Sequence, residues 1–177
     1  MPLLNTVTPE NAQGQVKEIY DQIAAAFGSV PNALQAYSSS PAQLASHWQS
    51  IGYYMQHPSL SFNLLAMIRM LVSIETHCEY CVGFNEALLI NMGGLSLEQI
   101  AATKNNPHDA PLSDKDKAML LFVVKATADS LSVNKADIAD LRAHGWSDGD
   151  ILDGLSHGAN MLAGDTVLNV MKIERDF

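Results

Sequence analysis

Helix signals follow one another along this entire sequence, and no segment alternates with the period of two that a half-buried strand requires. Thr8-Pro9-Glu10 reads as an N-cap, a proline in the first turn and an acid beside it. Val16, Ile19, Tyr20, Ile23 and Phe27 follow at helical spacing, and Gly28 closes the run. Ser40-Pro41 restarts the pattern, and His57-Pro58 ends it. Leu60 to about Thr76 is a long apolar segment. A second helix after it carries Cys78 and Cys81 and stops at Gly93-Gly94, with Thr76 as its expected N-cap. Ser96-Leu97-Glu98-Gln99 is a capping box. Ser113, Asn134 and Ser147 head three further helices. The expectation is an all-α chain with no sheet.

The 177 residues suit a single domain over 1–177. The clearest loop, 105–112, is where a subdivision would fall. Charged residues make up 16% of the chain and apolar ones 47%, against a usual charged share of about 25%. Such a chain is expected to hide extra surface in a homo-oligomer. The net charge of −9 leaves no basic footprint for nucleic acid. The longest apolar stretch is broken by Arg69 and is too short for a bilayer span. Met1–Pro9 is neither basic nor apolar enough for a signal peptide. These features predict a cytoplasmic protein with neither nucleic acid nor membrane as partner.

The chemistry-bearing segment is Glu75-Thr76-His77-Cys78-Glu79-Tyr80-Cys81. Thiols three residues apart near a helix start come within reach of each other. Helix N-terminal N–H groups favour thiolate, the reactive form. Glu75, Glu79 and Glu86 act against this by crowding the site with negative charge. His77 precedes Cys81 by four residues and shares its face only if the helix is continuous there. Two rival readings stand beside redox chemistry. A structural zinc site wants four ligands, and His47, His57, His108, His144 and His157 are scattered without a second pair. The cysteines could also be plain core residues. Neither a metal nor a cofactor is expected.

Cys78-Glu79-Tyr80-Cys81, placed after a long apolar helix and before a second one, resembles the carboxymuconolactone decarboxylase-like superfamily. Within it the chain is most similar to the alkyl hydroperoxide reductase D-like, peroxidase-related branch. Gly28-Ser29-Val30-Pro31-Asn32 with Ser40-Pro41, and Leu112-Ser113-Asp114 with the helix after it, resemble flanking segments of the longer members. The resemblance implies an all-α bundle assembled as a trimer or hexamer. It also implies a thiol peroxidase or disulfide reductase cycle. In that cycle Cys81 attacks a hydroperoxide, Cys78 resolves the sulfenic acid to a disulfide, and an external dithiol or reductase partner resets the pair.

The family pattern places a Glu twelve residues before the first cysteine and a His four after the second. Here those positions hold Ala66 and Asn85. The usual proton relay is therefore absent, and Glu75 and His77 are the expected replacements. Two other classes compete with the peroxidase. One is a decarboxylase-like lyase, which does not rely on a C-x-x-C. The other is a non-enzymatic protein whose assembly responds to the disulfide.

Overall fold

Side-chain caps fix where several helices begin. Ser61 accepts from the Leu64 N–H at 3.2 Å, and Ser113 from that of Asp116 at 3.1 Å. Ser96 with Gln99, and Asn134 with Asp137, form reciprocal capping boxes. The computed structural model describes residues 2–176. Its elements are α1 (Gly14–Phe27), α2 (Asn32–Gln35), α3 (Pro41–Met55), α4 (Phe62–Glu75), α5 (Glu79–Asn91), α6 (Leu97–Asn105), α7 (Asp114–Ala128), α8 (Lys135–Ala143) and α9 (Asp148–Met171). Among the described residues there is no strand, and no helix is long and apolar enough to cross a membrane.

Two expected helix starts are corrected. Pro9–Asn11 is only a 3-10 turn, and α1 begins at Gly14. The Thr8 hydroxyl accepts from the Asn11 side-chain amide at 2.9 Å, so it caps no backbone N–H. Thr76 is the C-cap of α4, not the N-cap of α5; that place belongs to Cys78.

Chain contacts define two compact units. One holds the residues up to 56 and those from 167 onward, and the other holds residues 57–166. The 105–112 loop lies inside the second. In the first unit α1 buries Val16, Ile19, Tyr20 and Ile23. These join Val30, Leu34 and Leu44 in one apolar core. The Tyr20 hydroxyl donates to the Val7 carbonyl at 2.8 Å, which ties the N-terminal segment to α1.

The second unit is built on α4. This helix buries Leu64, Leu65, Ala66, Met67, Ile68, Met70, Leu71, Val72 and Ser73. Residues on every side of it are therefore covered, as expected for a helix that is apolar all round. Helix α5 turns back along it. The early part of α9 runs in the same direction as α4, since Arg69 reaches His157 and Ser73 reaches Asp165. Close approach of α9 depends on glycine. A Cβ on Gly158 would run into Val123 Cγ1 and lie 3.1 Å from Thr127 Cγ2, whereas one on Gly154 would meet only the flexible Met119 side chain, at 2.7 Å from its sulfur.

Valine is stiff at χ1, and overpacking of a tight core costs about 1–3 kcal/mol. Gly158→Ala is expected to lower stability in chemical denaturation, and Gly154→Ala to do so less. Equal effects would mean that Val123 yields as easily as Met119.

Candidate redox-active site

The site starts from the way α4 ends. The Cys78 N–H donates to the Ser73 carbonyl at 2.9 Å, and the His77 N–H to the Ile74 carbonyl at 3.1 Å. This bond pair is a Schellman closure, with His77 in the left-handed position at φ 56°. Glycine usually fills that position, because a Cβ is strained there. The tight turn delivers Cys78 directly to the N-cap of α5 and puts Cys81 in its first turn. The Val82 N–H donates to the Cys78 carbonyl at 3.0 Å, so the helix is closed from its first residue.

Cys78 and Cys81 are joined by a disulfide, with Cα atoms 5.3 Å apart. Both are buried, at 0% and 2% exposure. Beside them lies a group that the sequence analysis missed. Asp165 of α9 is also fully buried, and one of its carboxylate oxygens and both sulfurs lie within 4.8 Å of one another. Two hydroxyls orient the carboxyl. Ser73 Oγ donates to Oδ1 at 3.0 Å, and Thr76 Oγ1 to Oδ2 at 2.6 Å. Burial pushes the Asp165 carboxyl above its ordinary value, and the two hydroxyl bonds only partly oppose this.

Glu75 and His77 are exposed. His77 lies within the break between α4 and α5, so it and Cys81 do not lie on one continuous helix. Ala66 is fully buried on α4. Asn85 is buried one turn after Cys81; its amide donates to the Cys81 carbonyl at 2.8 Å. Its Oδ1 accepts from Arg69 Nε at 2.7 Å. Arg69 Nη1 lies 3.3 Å from His157 Nε2. Guanidinium only donates, so a hydrogen bond here requires this nitrogen to accept, in a neutral ring with its proton on Nδ1. Burial, reinforced by the Arg69 charge, holds the His157 pKa down at about 3.

Cys78, Cys81 and Asp165 form the one grouping among the described residues that could hold a metal ion. Three ligands are one short of a closed structural zinc site, and the disulfide occupies both sulfurs. The arrangement suits dithiol–disulfide exchange with a carboxyl at hand to take or give the proton.

No protein-family model and no curated protein matches the sequence. Solved structures do match. The fold is similar to that of an uncharacterized peroxidase-related protein from Silicibacter sp. TM1040 (TM-score 0.85, 24% identity, covering 98% of this chain and 91% of that one). It is equally similar to a peroxidase-related protein from Ralstonia eutropha JMP134 described as an alkylhydroperoxidase AhpD core (TM-score 0.86, 21% identity, 99% and 92% covered). A variant of the debrominase Bmp8 in complex with 2,3,4-tribromopyrrole aligns at TM-score 0.72 and 15% identity, over 98% of this chain and 94% of that one. The chain therefore has the all-helical AhpD-like fold that the sequence led us to expect.

A raised carboxyl pKa carries a stability signature. The native state binds the Asp165 proton more tightly than the unfolded chain, whose value is near 3.8. This contribution is full below the unfolded value and is lost as pH rises through the folded one. Asp165→Asn removes that loss. Its melting temperature near neutral pH is expected to equal or exceed the parent's, and any advantage should shrink on acidification. A variant that is less stable than the parent at neutral pH would mean the carboxylate is kept for stability.

Proposed function

We propose that this protein is a thiol-dependent hydroperoxide reductase that works through Cys81 and Cys78. The observation that carries the reading is a buried C-x-x-C pair at the head of α5 with an oriented, buried carboxyl beside both sulfurs. Cys81 thiolate attacks the distal peroxide oxygen. The O–O bond breaks, Cys81 becomes a sulfenic acid, and the alkoxide leaves as an alcohol once protonated. The Cys78 thiol then attacks the sulfenic sulfur, forming the disulfide and releasing water. An external dithiol reduces the pair and is itself oxidised.

In this scheme Asp165 takes the thiol proton and returns it to the leaving oxygen. Its raised pKa fits that duty, because a group that holds a proton closer to neutrality can also release one there. Glu75 and His77, exposed on the turn, carry protons between the site and water. We extend the reading to a cytoplasmic trimer or hexamer. The charged share of 16% against an apolar share of 47% supports self-association. Light scattering of the pure protein tests this part, and a monomer at all concentrations would refute it.

Cys81→Ser should abolish consumption of an organic hydroperoxide by the reduced protein, and Cys78→Ser should leave a trappable sulfenic acid on Cys81. Asp165→Asn should slow turnover by about 10²-fold or more. Glu75→Gln and His77→Gly should cost less than about tenfold, and His77→Gly should also stabilise the turn by about 1 kcal/mol. Undiminished turnover in Cys81→Ser would overturn the reading. If the reduced parent fails on hydroperoxides but dehalogenates a bromopyrrole, the same thiol pair serves the reaction named for the debrominase structure instead.

A further inference from the structure

We propose that Arg69, held by Asn85 and His157, binds an anionic group of the substrate, so that the preferred hydroperoxides carry a carboxylate; this rests on the peroxidase reading above.

Arg69 projects from α4, the helix that the second unit buries on all sides. A charge in such a place is ordinarily matched by an opposite one. Among the described residues Arg69 makes no ion pair. Its two partners are the Asn85 amide oxygen and His157 Nε2, and both are neutral dipoles. Asn85 spends its amide N–H on the Cys81 carbonyl, which leaves its oxygen turned to the guanidinium. His157 Nε2 also lies 3.3 Å from the Leu65 carbonyl. That nitrogen cannot donate there while it accepts from Arg69.

The two neighbours therefore aim the cation without cancelling it. Burial lowers the Arg69 pKa to about 10, which still leaves it charged near neutral pH. A guanidinium offers five N–H donors, and the two hydrogen bonds above use two of them. The planar array of the remaining donors matches a carboxylate, an anion small enough to share a molecule with a hydroperoxide. Arg69 also keeps partial solvent exposure, so an anion is not shut out by a sealed core.

The cation sits at the working end of the fold. Arg69 precedes Ser73, which holds Asp165, by one turn of α4. Asn85 follows Cys81 by one turn of α5. Four residues rise about 6 Å along a helix axis, so the guanidinium lies about one turn below the sulfurs. A small acid anchored there would extend toward Cys81. The layer at the sulfurs carries the proton-transfer group, and the layer below carries the charge for recognition.

The test compares cumene hydroperoxide with its para-carboxylate analogue. The parent should favour the acid by about tenfold in kcat/KM. Arg69→Gln should bring the ratio near one, and Arg69→Lys should recover part of it. A parent ratio near one, or a preference that survives in Arg69→Gln, overturns the proposal. A second measurement does not need turnover. Benzoate should raise the melting temperature of the disulfide form more than benzyl alcohol does, and Arg69→Gln should abolish the difference. Benzoate binding that depends on Arg69 without any peroxide consumption would refute the peroxidase reading and keep the anion site. Turnover of both hydroperoxides alike with no benzoate effect would do the reverse.

Discussion

Burial of α4 on all sides is the constraint from which the chemistry follows. A helix in that position is apolar nearly throughout, and any polar side chain on it must find a partner inside the protein. Arg69 and Ser73 on its second half and Thr76 at its C-cap are the polar groups that find such partners, whereas Glu75 is exposed. These three partnered groups lie at intervals of four and three residues, so they share one face. Asp165 answers Ser73 and Thr76, and His157 and Asn85 answer Arg69. The cysteine pair is set at the end of that face by the turn that stops the helix.

The result is two polar layers in an otherwise apolar interior. In the upper one a carboxyl is kept by two hydroxyl donors and held above its usual pKa by burial. In the lower one a guanidinium is kept by two neutral acceptors. Glu and His at positions 66 and 85 would form a titrating pair in the family pattern. Here the first position is alanine, and the second carries an amide that bridges Arg69 and Cys81. Under the proposed peroxidase reading, proton transfer falls to Asp165 on α9, and the layer at Asn85 holds the Arg69 charge.

Much of the helical framework was legible because its signals are local. A cap is a hydroxyl or amide a few atoms from the N–H it satisfies, and Ser96, Ser113 and Asn134 behave accordingly. Thr8 and Thr76 were misread for the same local reason. Each hydroxyl has a competing partner, Asn11 in one case and Asp165 in the other. The C-x-x-C was legible as a pair. That its helix is separate from the one before was also legible, but the form of the break was not, since a left-handed turn on histidine instead of glycine has no clear sequence mark. Asp165 left one faint trace, an acid between small and apolar residues of a helix.

The sequence by itself determined the helical class, most helix boundaries and the thiol pair, because periodicity, capping and i to i+3 spacing act within a turn or two of chain. Only the tertiary structure decided what stands beside the thiols. Asp165 meets Ser73 across 92 residues, and His157 meets Arg69 across 88. These encounters depend on where packing sets α9 beside α4, and Gly158 lets α9 close on α7. Which buried acid is raised and which partly buried cation lacks a counter-charge are properties of that packing, because desolvation is fixed by everything around a group and not by its neighbours in sequence.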